Sequence, residues 1–207
     1  MVKILSDNDK KLIEKAIAEA EQKTCAEIVT VIAPASDAYQ SYIMLYGLVI
    51  GSIISTLLWK TKLVSAFPLL LLTQLATIAI FSYIPWLRHF LLTFIPRRIR
   101  NHRAAHRAYE EYLKISHYAS ATTPIVLLYI SIIEHYTHII TSRLVREKVA
   151  NTQWEEVINK LTGSIKNEGF QNSCVKAINN SVELLVPYFP ANGEKNAISN
   201  SVREIKE

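Results

Sequence analysis

The sequence is poor in the residues that most often mark a known chemistry. Of its 207 residues two are cysteines, and Cys25 and Cys174 stand too far apart for a CxxC pair, so neither a disulfide framework nor a zinc site is indicated. Aspartate occurs three times, and Asp7 and Asp9 fit the start of a helix. No P-loop or CxxxxxR pattern is present. These absences remove the most recognisable sites for phosphoryl transfer.

Two further features are missing. The N-terminal residues MVKILSDNDKK contain no apolar run, so no cleavable signal peptide is predicted. The net charge of +5 is modest, and much of the positive charge lies in one run of arginines without interleaved stacking aromatics. We therefore expect no binding to nucleic acid. The arginines are Arg97, Arg98, Arg100, Arg103 and Arg107.

A long apolar stretch does stand out, and from residue 43 to residue 87 it carries no charge except Lys60 and Lys62. A helix crosses a bilayer with about 20 apolar residues, within a range of about 17 to 25. Segments 43–59 and 63–86 both satisfy this length. The alternative is a pair of buried core helices, which a soluble domain of this size could hardly enclose. We predict a transmembrane hairpin over 43–86, followed by an interfacial segment over 87–96.

The flanking charges predict how this hairpin is oriented. The loop between the spans holds two lysines, whereas Arg88 and the arginine run follow the second span. Because basic flanks stay in the cytoplasm, the soluble parts are predicted to be cytoplasmic and the lysine tip to be outside. Each basic residue near an anionic lipid surface contributes about 1 kcal/mol of attraction. The sequence thus predicts a two-span protein of a bacterial inner membrane, with the lipid bilayer as its first partner.

The soluble segments alternate between strand and helix patterns. Strands are predicted at 27–33, 124–133 and 136–141, and helices at 7–22, 97–117, 153–167 and 171–186, with Ser6 and Thr152 as helix caps. The short gap between the second and third strands requires antiparallel pairing. The helix between the first and second strands favours a parallel pair with a right-handed crossover. We predict an α/β fold in which a small mixed β-sheet is flanked by helices and interrupted by the two-helix transmembrane hairpin.

The same patterns predict the domain organisation. Residues 1–40 and 97–190 are expected to form a single discontinuous cytoplasmic domain, with the hairpin inserted within it. Residues 191–207 lack a consistent apolar face and are expected to form a flexible polar tail.

Three stretches in this order resemble the TPM domain family. They are LSDNDKKLIEKAIAEAEQKTCAEIVTVIA, PIVLLYISIIEHYTHIITS and WEEVINKLTGSIKNEGFQNSCVKAINNSVELLVPYFP, which together cover nearly all the soluble chain. The chain looks most similar to the bacterial branch with two spans inserted after the first strand. The resemblance implies a small mixed sheet with helices on both faces.

For function, the resemblance implies several roles. Some members of the family are acid phosphatases, some bind calcium through acidic loops, and others serve in the assembly or repair of membrane complexes. The loop after the third strand reads Ser142, Arg143 and Leu144, where relatives often place glycine or acidic residues. This departure argues against both the calcium site and the phosphatase chemistry at these positions.

Few residues of the soluble segments could carry chemistry. Glu134 and His135 fall together in the turn between the last two strands, where a satisfied turn is the simpler interpretation. His117 precedes the second strand and is the residue to test first if a pocket exists. Glu27 opens the first strand and is expected to point to solvent. His102 and His106 share a helix face, but no carboxylate stands beside them and the neighbouring arginines would repel a cation, so no metal site is predicted there.

Two functional hypotheses follow. The first is a membrane-anchored, non-catalytic module without a cofactor, which binds a membrane or peripheral protein and assists in assembling a membrane complex. The alternative is a weak metal-dependent phosphatase that uses Ca or Mg, which depends on family analogy alone.

Overall fold

A computed structural model describes residues 6–63, 66–84, 90–120, 122–191 and 203–204. Contacts divide the chain into two compact units, one formed by Met1–Ser36 with Asn101–Glu207 and the other by Asp37–Arg100. We call the first the sheet unit and the second the hairpin unit, and each is considered separately.

The elements follow one another in the order α, β, two helices, then a mixed α and β series. In chain order they are α1 (Asp7–Glu21), β1 (Glu27–Ala33), α2 (Gln40–Lys60), α3 (Phe67–Tyr83), α4 (Arg97–Tyr118), β2 (Ile125–Ser131), β3 (Tyr136–Thr141), α5 (Arg143–Arg146), α6 (Asn151–Glu168), α7 (Phe170–Leu185) and β4 (Arg203–Glu204).

The sheet has the strand order β3-β2-β1-β4. Strands β1 and β2 are parallel, with a register that runs from Glu27 opposite Ile125 to Ala33 opposite Ser131. Strands β2 and β3 are antiparallel, as their short connection requires. The predicted α/β fold with a small mixed sheet is therefore confirmed.

Helices cover both faces of this sheet. Alternate strand residues point to opposite faces, and on one face Val31 and Leu127 pack against Ala108 and Ile115 of α4. On the other face Ile28, Ile32 and Leu128 join a larger core built with α1, α6 and α7. This arrangement explains the mostly apolar strand sequences, because a sheet covered on both sides buries every residue of its central strands.

Two sequence predictions about local structure turn out differently from one another. At α1 the Ser6 side chain accepts a hydrogen bond from the Asp9 amide at 3.2 Å, and Asp9 accepts in return from the Ser6 amide at 3.0 Å, so the predicted cap is confirmed. The predicted Thr152 cap is wrong, because α6 already begins at Asn151. There the Gln153 side chain accepts from the Ala150 amide instead.

In the hairpin unit, α2 and α3 pack along each other. Among the described residues α2 has the length and apolar composition of a membrane span, whereas α3 is a shorter apolar helix of 17 residues. The second crossing predicted over 63–86 is therefore unconfirmed. Residues 64–65 and 85–89, which include Trp86, Arg88 and part of the predicted interfacial segment, lie outside the described residues.

The C-terminal tail contributes one short strand. Arg203 and Glu204 form β4, which pairs in parallel with Val31 and Ile32 of β1. This differs from the expectation of an unstructured tail. The rest of the tail, at 192–202 and 205–207, lies outside the described residues.

Candidate functional site

The carboxyl ends of β1 and β2 lie side by side, which is where open α/β sheets usually bind ligands. The pairing continues past the strands, since the Ile132 amide donates to the Ala33 carbonyl at 3.0 Å and the Ile133 amide donates to the Pro34 carbonyl at 3.0 Å. The β2–β3 turn therefore stands directly over the point at which the chain leaves β1.

Glu134 lies in this turn with its side chain buried, at 4% exposure. One carboxylate oxygen accepts the Ser36 backbone amide at 2.9 Å, and the other accepts the Ser131 hydroxyl. The Ser36 hydroxyl in turn bonds to Ser131 Oγ at 2.8 Å and lies 3.0 Å from the Tyr129 hydroxyl. We call these four residues the Glu134 network. This geometry agrees with the interpretation from sequence, in which the polar groups of the turn are hydrogen-bonded within the protein.

Tyr129 is fully buried, as is Ser131 in the same network. Burial raises the pKa of the Tyr129 phenol. The hydrogen bond with Ser36 lowers that pKa, the Glu134 carboxylate raises it, and Arg107 and Ser131 lower it, with a net increase. The phenol thus remains protonated at neutral pH and serves as a hydrogen-bonding group.

The Glu134 network is better suited to holding the chain than to chemistry. Both carboxylate oxygens are already hydrogen-bonded, and Ser36 is the last residue of the sheet unit before the hairpin unit begins. Within the described part of the chain, no three side chains of His, Cys, Asp or Glu gather as they would around a metal ion.

The other two candidates, His135 and His117, have different surroundings from Glu134. His135 follows it directly but has a left-handed φ of 51° and an exposed side chain, which are features of the turn itself. His117 lies in the last turn of α4, near the start of β2, and Glu134 follows the end of β2. Seven strand residues span about 23 Å. His117 and Glu134 therefore lie at opposite ends of the sheet.

A second polar residue, His138, lies opposite Tyr129 on the neighbouring strand. Its ring centroid is 6.0 Å from that of Tyr136, and partial burial at this strand lowers the pKa of His138. His138 is therefore neutral at physiological pH.

Glu27 is another buried carboxylate. The expectation that it points to solvent is wrong, because the residue is 5% exposed at the start of β1. It lies at the opposite end of the parallel strands from the Glu134 network, so the two carboxylates do not form a pair.

The arginine run divides into two kinds of residue. Arg97, Arg98 and Arg103 have exposed side chains. Arg107 instead makes ion pairs with Glu110 at 3.1 Å and with Glu111 at 3.4 Å. Arg97 and Arg98 therefore expose their side chains at the start of α4.

The hairpin unit contains a stripe of small residues that the sequence analysis did not use. Gly47, Gly51 and Ser55 are spaced four apart on α2 and are all buried, and we call them the small-residue stripe. A Cβ added to Gly47 would lie 3.0 Å from the Ile78 Cα, and one added to Gly51 would lie 3.1 Å from the Gln74 Cα. The backbones of α2 and α3 approach this closely only because glycine has no side chain. The Gly-x-x-x-Gly spacing was a readable signal for this contact.

Polar side chains line the same helix contact. Ser55 Oγ lies 2.5 Å from Thr73 Oγ1 and donates to the Leu70 carbonyl at 3.1 Å. Gln74 donates to Ser52 Oγ at 3.2 Å. The contact between α2 and α3 thus includes small and hydroxyl-bearing residues.

The outer surface of the hairpin unit has the opposite character. Only 22% of the apolar window in α2 is buried, and large aliphatic side chains of both helices are exposed. They are Leu45, Leu48, Val49, Ile53, Ile54 and Leu57 on α2, and Leu69, Leu71, Leu72, Leu75 and Ile80 on α3.

The described part of the predicted interfacial segment carries aromatic rings. Phe90 and Phe94 are exposed, and their rings meet edge to face at 5.2 Å. Leu91, Leu92 and Ile95 are buried. The segment therefore has one apolar inward side and a pair of outward phenyl rings.

A shallow groove between α6 and α7 also contains polar residues. Lys160 and Lys176 line it with Asn180. Both lysines are engaged, since Lys160 pairs with Glu156 at 2.9 Å and Lys176 with Glu168 at 2.5 Å. Each lysine charge is balanced by a glutamate. Neither of these two lysines is therefore free to bind an anionic ligand in the groove.

Comparisons with known proteins bear on the fold. No protein-family model and no curated protein matches the chain. The chain is similar in structure to the BA42 protein of the psychrophilic bacterium Bizionia argentinensis, solved by NMR, with a TM-score of 0.61 and 15% sequence identity. The match covers 99% of this chain and 97% of that one. At this identity the likeness shows the shared fold and nothing about activity.

Proposed function

We propose that this chain is a membrane-anchored domain of the TPM type that binds a membrane or peripheral protein and serves in the assembly of a membrane complex, without catalysing a reaction. The observation that carries the proposal is the inverted polarity of the hairpin unit. Its helices meet through glycine, serine and threonine, and they present leucine and isoleucine outward.

In water this arrangement would be costly. Burying apolar side chains stabilises a soluble protein by roughly 25 cal/mol per Å², and the exposed aliphatic residues of α2 and α3 forgo that gain. In a bilayer the outward side chains contact lipid, and helices associate through close backbone approach and hydrogen bonds between small polar residues. The small-residue stripe matches the second environment.

The proposal includes two crossings. Helix α2 has 21 residues and is long enough to span the hydrocarbon core. Helix α3 has 17 residues, which corresponds to about 26 Å against a core of about 30 Å. The two helices pack along each other, which favours their sharing one environment.

Location and orientation belong to the same proposal. We place the protein in a bacterial inner membrane with the sheet unit in the cytoplasm, as the distribution of basic residues predicts. Exposed Arg97 and Arg98 would contact anionic headgroups, and the rings of Phe90 and Phe94 would enter the interface.

Assignment to the TPM type is supported by the order of the three resembling stretches. The small mixed sheet with helices on both faces agrees with the fold that this resemblance implies. A binding role rather than a catalytic one is supported by the Glu134 network, in which both carboxylate oxygens accept internal hydrogen bonds.

Membrane fractionation tests the anchor. We expect the full chain to remain in the membrane after alkaline carbonate washing. Leu57→Arg and Leu75→Arg place a charge on the exposed side of each helix and should shift the protein out of the carbonate-resistant fraction. Leu113→Arg, at an equally exposed leucine of α4, is the matched control and should not. Equal behaviour of all three variants would refute the anchor.

Topology and partner need separate measurements. A protease-accessible tag between Lys60 and Lys62 should be cleaved from outside in intact spheroplasts, and protection there would overturn the orientation. Crosslinking in native membranes, followed by purification of the full chain, should recover the same partner repeatedly. Recovery of the chain alone would refute the interaction role.

A weak metal-dependent phosphatase remains the second candidate, because Glu134 lies at the carboxyl ends of parallel strands where ligands bind. The test is turnover of a generic phosphate ester with Mg or Ca. We expect none. Turnover that is lost in Glu134→Ala or His117→Ala, while the fold measured by circular dichroism persists, would favour the phosphatase.

A further inference from the structure

One side of helix α4 carries two stacked tyrosines. Tyr109 is 55% exposed and Tyr112 is half-buried, and their ring centroids are 6.5 Å apart with an angle of 25° between the planes. Burial raises the pKa of Tyr112, and the nearby Arg146 guanidinium lowers it. Arg146 also donates to the Thr141 carbonyl, at the end of β3, at 3.4 Å. Tyr112 therefore lies on the side of α4 that faces β3.

Strand β3 supplies further rings on the same face of the sheet. Tyr136, His138 and Ile140 alternate along β3, so they point to one face. Tyr136 and Ile140 pack against the same core cluster as Tyr112. The ring of Tyr136 lies 6.0 Å from that of His138, which is exposed. The flank of α4 and the adjoining face of β3 thus form one surface in the sheet unit. We call it the tyrosine surface, and its residues are Tyr109, Tyr112, Tyr136, His138, Ile140 and Arg146.

The tyrosine surface combines aromatic area with hydrogen-bonding groups. Burial raises the pKa values of Tyr112 and Tyr136, so both phenols stay protonated at neutral pH and can donate. Burial lowers the pKa of His138, so its imidazole is neutral and also offers one N–H. The surface therefore presents several donors beside its rings.

One positive charge borders these rings. Arg146 is exposed, and its side chain makes a long hydrogen bond to a carbonyl. The carboxylate next to it in sequence, Glu147, pairs with Arg143 at 2.8 Å. The charge of Arg146 is therefore not balanced by this neighbour, and it favours an acidic group on whatever binds here.

A segment in the polyproline II conformation matches these properties. Such a segment makes no internal backbone hydrogen bonds, so its carbonyls need donors. Its proline rings pack on aromatic side chains, and proline-rich segments bind surfaces lined by such rings. An amphipathic helix satisfies its own carbonyls and would leave the phenols without acceptors. Tyrosine and arginine are also the residue types that contribute most to binding at protein interfaces.

We propose that the tyrosine surface binds a proline-rich, acidic segment of the protein partner, with the prolines against the rings and a carboxylate at Arg146. This inference rests on the proposed interaction function, because it names the surface at which the partner binds and the chemistry of the segment that it recognises.

Peptide selection tests the chemistry without assuming a sequence. The full chain is immobilised in detergent micelles, and random peptides displayed on phage are selected for binding to it. We expect the selected peptides to be enriched in proline and to carry an acidic residue. Selected peptides that lack both features, or a selection that yields no binder, would overturn the inference.

Variants of the full chain locate the binding site. The affinity of the tightest selected peptide is measured by fluorescence anisotropy. Tyr109→Ala should weaken binding by about tenfold or more, as loss of a central aromatic contact does. Tyr118→Ala, at a more exposed tyrosine of the same helix, is the matched control and should bind as the wild type does. Equal affinities of these two variants would contradict the assigned surface.

A charge exchange tests the role of Arg146. Arg146→Glu should weaken binding of the acidic peptide by about tenfold or more. A peptide in which lysine replaces the acidic residue should bind this variant more tightly than it binds the wild type. Lys166→Glu, at an exposed lysine of α6, makes the same change of charge and should have neither effect. If both charge variants behave alike, Arg146 does not contact the acidic residue.

Two further outcomes separate this inference from others. A wild-type dimer that dissociates in Tyr109→Ala would overturn the inference, because a second copy of the chain would then occupy the surface. If crosslinking in native membranes recovers the same partner with the wild type and with Tyr109→Ala, the interaction function stands and this surface is not its site. If the peptides bind here but crosslinking recovers no partner, the interaction function fails and the peptide site stands.

Discussion

The backbone amide of Ser36 donates a hydrogen bond to the carboxylate of Glu134 at 2.9 Å, across 98 positions of sequence. Ser36 is the last residue of the sheet unit before the chain enters the hairpin unit. The exit of the chain from β1 is therefore held by a buried carboxylate of the β2–β3 turn. A hydrogen bond from a backbone amide to a carboxylate is stronger than a hydrogen bond between two neutral groups.

We expect Glu134→Gln to lower the free energy of unfolding by about 1 to 3 kcal/mol, the typical cost of leaving a buried polar group unsatisfied. Glu134 accepts on both oxygens, from the Ser36 amide and the Ser131 hydroxyl, and a carboxamide has one oxygen to offer. Chemical unfolding in detergent micelles measures this. Glu156→Gln, at an exposed carboxylate, is the control and should change stability by less than about 0.5 kcal/mol. Similar effects of both variants would contradict the assigned role.

The raised pKa of Tyr129 predicts a loss of stability at alkaline pH. The folded protein keeps the phenol protonated above its ordinary pKa of about 10, whereas the unfolded chain ionises there. The contribution of Tyr129 is thus fully present below about pH 10 and is lost as the pH rises through its folded pKa. In Tyr129→Phe the free energy of unfolding should decrease less steeply as the pH rises above about 10. The remainder belongs to Tyr112 and Tyr136, whose pKa values burial also raises.

Absorbance of tyrosinate during an alkaline titration checks this prediction. The wild type should show one tyrosine that ionises at higher pH than a free tyrosine. This late step should be missing from the titration of Tyr129→Phe. Coincident titration curves and equal stability at alkaline pH would show that burial does not protect the phenol.

We expect Gly47→Leu to separate α2 from α3. The added Cβ alone would lie 3.0 Å from the Ile78 backbone, so the helices must move apart. Overpacking of this kind typically costs about 1 to 3 kcal/mol. Thermal unfolding in detergent micelles should show a lower midpoint. Gly163→Ala in α6 is the matched control, because nothing lies within 4 Å of its added Cβ.

In that control the helix interior should gain about 0.5 to 1 kcal/mol, since alanine loses less backbone entropy than glycine. An unchanged midpoint for Gly47→Leu would mean that α2 and α3 are not held by close backbone approach.

Cysteine labelling tests the packing between the sheet and α7. Cys174 is fully buried, and burial raises the pKa of its thiol to about 12, so its thiolate fraction at pH 8 is roughly one in ten thousand. Cys25 is partly exposed. In Cys25→Ala we expect no reaction with a thiol reagent until denaturant is added. Rapid labelling of that folded variant would contradict the described core.

The strands were predictable from sequence because β-branched, apolar runs between polar turns have few alternatives. The three predicted strands correspond to β1, β2 and β3, and their pairing directions follow from the lengths of their connections. The Thr152 cap failed since a Gln153 side chain could satisfy the helix start two residues earlier, a choice that depends on small energy differences.

The candidate site was predictable in part. Glu134 was identified as a turn residue, but its role depends on Ser36, which is distant in sequence and becomes a neighbour only when β1 and β2 pair in register. His117 precedes β2 and Glu134 follows it, so the order of the sequence already places them at opposite ends of that strand. The small-residue stripe could be predicted from the spacing of Gly47, Gly51 and Ser55. The length and hydropathy from which the hairpin is predicted contain no information on this contact.

Local composition accordingly decided which segments are helix or strand, since burial period, capping and turn residues act over a few positions along the chain. Long-range pairing decided the rest. The buried contacts of Glu134, the inward glycines of the hairpin unit and the seat of β4 on the β1 edge each join residues far apart in sequence. Such contacts form only when the chain has folded, because their stability comes from groups that the tertiary structure brings together.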